Sequence, residues 1–193
     1  MTGLTRWGVL LVFLAGCRPA AIPAHELLVV TGLKGTTEPC GCTSHPLGGL
    51  DRLVGRLDAL RPAMVAFVGD TFFTPGAPQE QEPSKARLIE EVLKRLRPDF
   101  VVTGAIDAVH QKMETAATRI VTIDRTRVAV ASQQRLDCAA LTTLPKADAR
   151  VLLLAEESHD CDPPVDIVVV PGGEEPRGPR ELGKSLWIDA GDR

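Results

Sequence analysis

The stretch from Leu27 to Leu57 reads LLVVTGLKGTTEPCGCTSHPLGGLDRLVGRL and indicates the class of fold. It begins with an apolar run, Leu27–Thr31, that is typical of a buried β-strand. It ends in a pattern of apolar residues at helical spacing, which predicts an amphipathic helix that stops before Pro62. A buried strand followed by a helix indicates an α/β fold. The apolar positions of the helix are Leu50, Leu53, Val54, Leu57 and Leu60.

Apolar runs and helical patterns alternate along the rest of the chain. A second helix is predicted from Ser84, whose hydroxyl can cap the first turn, to the region before Pro98. Two short strands around Asp124-Arg125-Thr126 predict a hairpin. These patterns predict a single α/β domain whose first half is largely parallel. The other predicted strands are Met64–Val68, Phe100–Thr103, Val128–Ala131, Val151–Ala155, Ile167–Val170 and Leu186–Ile188.

The composition argues against several classes of function. The chain has 193 residues, of which 44% are apolar and 24% are charged, so it can bury a core. Its net charge is -3 and it has no long basic run, which argues against binding to nucleic acid or to an anionic lipid surface. Aromatic residues make up only 4% and tyrosine is absent, so a platform for stacking bases is not expected.

Residues 1–16 are predicted to be a secretory signal peptide. Arg6 precedes an apolar run from Trp7 to Leu14, and this run is too short to cross a bilayer. The residues after the run, Leu14-Ala15-Gly16-Cys17, resemble the lipobox of bacterial lipoproteins. This resemblance implies cleavage before Cys17 and attachment of lipid to that residue. An ordinary signal peptide that happens to precede a cysteine is the alternative.

The lipobox resemblance also implies the location of the protein. Arg18 rather than an aspartate follows the lipidated position, which favours the outer membrane, on the side that faces the periplasm. The N-terminal lipid would then make the membrane a partner. Residues 17–25 are predicted to be the lipidated N-terminus and a tether, and residues 26–193 the folded domain.

Short motifs lie beside the predicted strands of the first half. Glu38-Pro39 and Gly48-Gly49-Leu50-Asp51-Arg52 fall between the first strand and the first helix. Phe67–Phe72 ends the second strand, and Pro98–Gly104 contains the third. In order and spacing these motifs resemble the calcineurin-like metallophosphoesterases of the 5'-nucleotidase type. Pro39–Cys42, which reads Pro-Cys-Gly-Cys, is similar to an atypical subgroup of secreted bacterial proteins in that family.

The resemblance implies a two-sheet α/β/β/α sandwich whose site lies beyond the strand ends. The family places an Asp-x-His pair and an Asn-His-Glu block there to hold two metal ions, whereas this chain has Gly32-Leu33-Lys34 and Ala105-Ile106-Asp107. Asp70 is the one strict match, and Asp107 is a weak substitute. Lys34 places a cation where a metal charge would lie, and could pair with Asp70. We therefore expect that the two-metal site is lost, and these three residues are vestigial candidates for a catalytic role.

Apart from Cys17, the chain has four cysteines, and each follows a predicted strand. They are Cys40, Cys42, Cys138 and Cys161. In an exported protein they predict disulfides, and the first two are too close together to pair, so each would bridge to one of the last two. The alternatives are a thiolate site for a single metal ion and a redox-active pair of thiols. The histidines that could add ligands are His45, His110 and His159.

The sequence thus predicts a membrane-anchored envelope lipoprotein with a metallophosphoesterase-like domain and a non-catalytic binding or scaffold role. A second envelope protein is its candidate partner. One alternative is a divergent metal-dependent phosphoesterase that uses Asp70, Asp107 and thiolates around one metal ion. The other is a cysteine-based metal, haem or redox protein that works through Cys40 and Cys42. No cofactor belongs to the main interpretation, and a single metal ion at the cysteine cluster belongs to the alternatives.

Overall fold

The computed structural model describes residues 26–38, 49–74, 76, 80, 82–110, 117–172 and 177–189. Within these residues the chain forms nine strands and four helices. In chain order they are β1 (Leu27–Thr31), α1 (Leu50–Leu60), β2 (Met64–Gly69), α2 (Glu82–Leu96), β3 (Phe100–Thr103), α3 (Ala105–His110), β4 (Thr118–Ile123), β5 (Thr126–Gln133), α4 (Cys138–Leu141), β6 (Ala149–Leu154), β7 (Ile167–Val170), β8 (Arg180–Leu182) and β9 (Ser185–Asp189).

The strands form two sheets, each built from one half of the chain. The first sheet has the order β1-β2-β3 and is parallel throughout, as the sequence predicts. The second has the order β4-β5-β6-β7-β9-β8. Its central pairs are parallel, whereas the outermost pairs, β4 with β5 and β8 with β9, are antiparallel. The carboxyl ends of β1, β2 and β3 therefore lie at the same edge of the first sheet, and the candidate site was predicted at this edge.

The two sheets pack face to face around the main core. Successive side chains of a strand point to opposite faces, so alternate residues of each strand reach this interface. The buried residues between the sheets include Met64, Ala66, Val68, Phe100 and Val102 from the first sheet, and Val121, Val128, Val130, Val151, Leu153 and Val169 from the second. The predicted two-sheet sandwich is confirmed.

The outer faces of the two sheets are covered by different kinds of structure. On the first sheet, α2 packs Ile89 and Leu93 against Phe67, as an amphipathic helix is expected to do. On the second sheet, Leu141 of α4 and Leu136 and Val165 from loops pack in a cluster with Trp187. The outer layer of the second sheet is thus made, in the described part of the chain, of a very short helix and loops.

The start of α2 differs from the sequence prediction. The helix begins at Glu82, so Ser84 lies inside its first turn and the predicted cap at Ser84 is wrong. Pro83 explains the earlier start, because proline is favoured in the first turn, where its missing N–H would have no partner. The helix ends at Leu96, before Pro98, as predicted.

The second sheet has β4 and β8 at its edges. The predicted hairpin of β4 and β5 is confirmed, and its turn uses Asp124, whose φ of 56° is one that aspartate tolerates better than most residues. Arg119 of β4 forms an ion pair with Asp99, which precedes β3 of the other sheet. β8 contains only three residues.

In the described ranges, none of the helices combines the length and the apolar character that a membrane-crossing segment requires.

Candidate functional site

The turn after β2 lies at the carboxyl ends of the first sheet. Gly69 ends this strand with a φ of 87°, a conformation that glycine adopts without strain. A Cβ atom on Gly69 would also lie 2.8 Å from Cγ of Pro171, the residue that follows β7 of the second sheet. The two sheets therefore meet closely here, immediately before Asp70 in the chain.

Asp70 caps the N-terminus of α3. Its Oδ1 atom accepts hydrogen bonds from the backbone N–H groups of Ile106 at 3.1 Å and Asp107 at 3.3 Å. The first N–H groups of a helix have no partner within the helix, and a carboxylate is a favoured acceptor for them. Asp70, which directly follows β2, supplies that acceptor. The aspartate that matches the family motif therefore stabilises the start of α3 in this chain.

Asp107 makes the reciprocal connection, from α3 back to the turn after β2. Its side chain is fully buried, and its carboxylate accepts hydrogen bonds from three successive backbone amides. The distances are 2.5 Å from Thr71 N to Oδ2, and 3.2 Å from both Phe72 N and Phe73 N to Oδ1. Asp70 and Asp107 thus each bind the backbone of the segment that carries the other.

The buried position of Asp107 changes its acidity. Burial raises the pKa of Asp107 from 3.8 to about 6. The hydrogen bonds from Thr71, Phe72 and Phe73 oppose this rise in the pKa, while the nearby charge of Asp70 adds to it. The pKa of this carboxyl group therefore lies well above its ordinary value, while its oxygens face backbone amides rather than solvent.

Gly104 is required beside this pair of carboxylates. A Cβ atom on Gly104 would lie 2.5 Å from Asp70 Oδ1 and 2.8 Å from the Asp70 backbone nitrogen. We expect Gly104→Ala to lower the free energy of unfolding by about 2 kcal/mol, because a backbone atom cannot move aside without displacing β2.

Urea unfolding followed by circular dichroism measures this change in stability. Gly55→Ala is the matched control, since no atom lies within 4 Å of a Cβ at Gly55, in the middle of α1. That control should gain about 0.5–1 kcal/mol. Equal stabilities for the Gly104 variant and the wild type would contradict the geometry around Asp70.

Lys34 contributes to this region through its backbone. Its φ is 41°, and its N–H donates to the carbonyl oxygen of Asp70 at 3.1 Å. The hydroxyl of Thr74 donates to the Lys34 carbonyl, and Gly35 N–H donates to the Thr71 carbonyl at 2.9 Å. These bonds join the loop after β1 to the turn after β2. The proposed pairing of the Lys34 ammonium with Asp70 stays a prediction.

The described residues around Asp70 and Asp107 do not fit a two-metal centre. Such a centre needs carboxylates and imidazoles with lone pairs directed at both ions. Both oxygens of Asp107 instead accept from backbone amides, and Asp70 accepts from α3. Within the described ranges, no group of three or more His, Cys, Asp or Glu side chains is placed to hold a metal ion. We therefore assign no metal-dependent step to this pair.

No protein-family model matches this sequence, and a search of curated proteins gives no match. Among solved structures, the chain is similar to the Thermus thermophilus sulfate thiohydrolase SoxB in complex with glycerol, with a TM-score of 0.58 and 13% identity. The match covers 86% of this chain and 51% of SoxB, so the chain spans about half the length of that enzyme. The fold is of the metallophosphoesterase type. At this identity the likeness concerns the fold alone.

The cysteines do not converge as the sequence suggested. Cys138 and Cys161 form a disulfide with each other, with their Cα atoms 6.4 Å apart. The predicted bridges from each of them to Cys40 or Cys42 are therefore wrong, and this bond also excludes a site built on four free thiolates. The physical reason is position: both cysteines lie against the outer face of the second sheet, beside Trp187.

Several predicted residues lie outside the described part of the chain. They are Cys17, Cys40, Cys42 and His45, together with the proposed signal peptide and tether. His110 is in α3, but its side chain falls outside the described part as well. His159 lies against the outer face of the second sheet, with its ring centroid 4.8 Å from that of Trp187. The structure thus brings Asp70, Asp107 and the Lys34 backbone together, and places His159 elsewhere.

Sequence reasoning missed two features. The first is the set of backbone amides at Thr71–Phe73, which no pattern of residue types records. The second is the pair formed by Arg180 of β8 and Trp187 of β9. Gly183-Lys184 between two short segments is a recognisable signal for a tight hairpin, and it could have revealed that these residues lie opposite each other.

Proposed function

We propose that this protein is a lipid-anchored component of the bacterial envelope whose metallophosphoesterase-type domain acts by binding rather than by phosphoester hydrolysis. The observation that supports this most directly is the reciprocal bonding of Asp70 and Asp107. These two carboxylates occupy the position where the resemblance implies metal ligands, and both are bonded to the backbone. A protein that keeps the scaffold while using these groups to brace its loops is suited to a structural or binding role.

A metal ion and the backbone amides would compete for the same lone pairs of Asp107. For Asp107 to bind a metal ion, its oxygens would have to release the amides of Thr71, Phe72 and Phe73, which are buried. Each buried amide left without an acceptor costs about 1–3 kcal/mol. Within the described residues, no group of three or more His, Cys, Asp or Glu side chains could help a metal ion to offset this loss, so the arrangement favours the structural state of the carboxylate.

A phosphodiester assay tests the absence of hydrolysis. The full chain is incubated with bis(p-nitrophenyl) phosphate and Mn²⁺, Zn²⁺ or Fe²⁺, and the release of nitrophenolate is followed. We expect the rate to equal that of the metal ion alone. Metal-dependent turnover that is abolished by Asp70→Asn, but kept by Asp58→Asn on the exposed side of α1, would instead establish a divergent phosphoesterase.

A Cys17→Ala variant tests the anchor. We expect the wild-type chain, produced in a Gram-negative host, to incorporate labelled palmitate and to partition into the detergent phase of Triton X-114. The variant should take up no label and remain in the aqueous phase. Sedimentation of the wild type with the outer rather than the inner membrane would support the proposed location. Equal partitioning of the two proteins would contradict lipidation.

The proposed partner is another envelope protein. Crosslinking in intact cells, followed by purification of the anchored chain, is the direct way to find one. Crosslinks formed by the wild-type chain should be lost in the Asp107→Asn variant if the loops that Asp107 holds in place belong to the binding surface. Crosslinks that persist in the variant would place the binding surface elsewhere.

A further inference from the structure

A second group of polar side chains lies against the outer face of the second sheet, near the Cys138–Cys161 disulfide. An open cavity of about 470 Å³ occurs here. Its lining includes His159, Asp162, Arg180, Leu182 and Trp187, with Cys161 at its wall. This cavity is separate from the Asp70–Asp107 pair, which lies at the end of the first sheet. Its chemistry is independent of the proposed envelope anchor and of the loss of hydrolysis.

The backbone places two N–H donors next to each other in this cavity wall. Arg180 and Trp187 are directly opposite partners in the antiparallel pair of β8 and β9. Residues directly opposite each other in such a pair share one face of the sheet, with Cβ atoms about 5 Å apart. The guanidinium of Arg180 and the indole of Trp187 therefore rise from the same face, and this placement follows from the register alone.

Both side chains hold a buried donor that lacks an acceptor. Among the described residues, Arg180 Nε and Trp187 Nε1 are shielded from solvent and have no hydrogen-bond partner. Trp187 is only 2% exposed. Buried polar groups are nearly always hydrogen-bonded in native proteins, so two adjacent exceptions require an explanation. Both unpaired groups are hydrogen-bond donors, so the missing partner must be a hydrogen-bond acceptor.

The guanidinium of Arg180 is held in place by Glu157. Arg180 Nη2 donates to Glu157 Oε1 at 2.9 Å, and the same oxygen lies 3.1 Å from His159 Nε2. Partial burial acts to raise the pKa of Glu157, but the hydrogen bond and charge of Arg180, together with His159, lower it below its ordinary value. Glu157 is therefore ionised and fixes one edge of the guanidinium, while the buried Nε, among the described residues, still lacks an acceptor.

We propose that this cavity binds a small carboxylate that carries an apolar body. A carboxylate accepts hydrogen bonds and donates none, and its two oxygens can each take one of the two donors. Its bond to a guanidinium is charge-assisted and stronger than that of a neutral carbonyl. Leu182, Trp187 and Pro163 supply the apolar part of the lining, against which a ring or a short alkyl chain would pack.

Tryptophan fluorescence can test this site directly. The chain contains two tryptophans, Trp7 and Trp187, so a full-length Trp7→Phe chain reports on Trp187 alone. Sodium benzoate is the probe, and benzamide, which has the same shape without the charge, is the comparison ligand. We expect a saturable change in emission with benzoate, and half-saturation at a concentration at least tenfold higher with benzamide.

Two variants identify the donors. Arg180→Lys keeps the positive charge but removes Nε, and should weaken benzoate binding by about tenfold or more, as loss of a charged hydrogen bond does. Arg125→Lys, in the β4–β5 turn, is the matched control and should bind as the parent chain does. Trp187→Phe keeps an aromatic ring without the N–H, and its weaker binding is measured by calorimetry.

Three outcomes would overturn the proposal. The first is an unsaturable response to benzoate in the Trp7→Phe chain. The second is equal binding of benzamide and benzoate, which would show that the acceptor need not be a carboxylate. The third is equal benzoate affinity in Arg180→Lys and Arg125→Lys, which would place the binding elsewhere.

Discussion

Replacing Asp107 with alanine is expected to lower the free energy of unfolding by about 3 kcal/mol. The change removes the acceptor of the Thr71, Phe72 and Phe73 amides, which lie in a buried turn. It also leaves a cavity at the start of α3. Urea unfolding at pH 7, followed by circular dichroism, measures the difference in stability from the wild type.

Asp58→Ala is the matched control for this loss. Asp58 lies on the exposed side of α1, so its removal should change the stability by less than about 0.5 kcal/mol. If Asp107→Ala is no less stable than Asp58→Ala, the three amide bonds do not hold the turn, and the structural role assigned to Asp107 is wrong.

The pH dependence of stability provides a second measurement on the same carboxylate. The pKa of Asp107 is raised from 3.8 to about 6, so the folded chain binds this proton more tightly than the unfolded chain. The contribution of Asp107 is therefore most favourable below pH about 4 and is lost as the pH rises through about 6. In the wild type, the free energy of unfolding should therefore include a decrease between pH about 4 and about 6 that comes from Asp107. This decrease should be absent in Asp107→Asn, whose side chain cannot ionise, and should persist in Asp58→Asn.

Removing the Cys138–Cys161 disulfide is expected to have an effect of similar size. The bond closes a loop with a sequence separation of 23 residues, and the chain-entropy model gives about 3 kcal/mol for a loop of this length. The Cys138→Ser, Cys161→Ser double variant should therefore unfold at a clearly lower urea concentration than the oxidised wild type. The loops that the bond joins cover Trp187, so its emission should shift to longer wavelength in the variant.

A proteolytic digest without reductant distinguishes the Cys138–Cys161 disulfide from the predicted bridges to Cys40 and Cys42. Mass spectrometry should find a peptide that links Cys138 to Cys161, and treatment with reductant should release the two halves. The Cys40→Ser, Cys42→Ser double variant is the control and should keep that linked peptide. A peptide that joins Cys40 or Cys42 to either partner would contradict the Cys138–Cys161 bond.

The strands were largely predictable because burial leaves a simple record in the sequence. Leu27–Thr31, Phe100–Thr103 and Ile167–Val170 are continuous apolar runs, and each coincides with a strand in the structure. By contrast, β8 and α4 contain only three and four residues, too few for a period to emerge. The beginning of α2 was missed because the preference of Pro83 for the first turn outweighed the capping preference of Ser84.

The candidate site was predictable in its residues but not in their role. Asp70 and Asp107 could be identified from motif positions after two neighbouring parallel strands, and the structure places them together. Whether a carboxylate binds a metal ion or an amide depends on the direction of nearby N–H groups, which the sequence does not record. The cysteine pairing failed for a related reason, because position along the chain does not say which face of a sheet a loop covers.

The two edges of the second sheet have a consequence for self-association. An edge strand exposes unpaired backbone groups, which can template the addition of a strand from another molecule. Here β8 is three residues long and includes Arg180 and Glu181, while β4 is connected to the first sheet by the Arg119–Asp99 ion pair. Short and charged edges such as β8 are poor templates for such addition. The β8 edge is therefore a poor place for a copy of this chain to add a strand, even when many chains are crowded together.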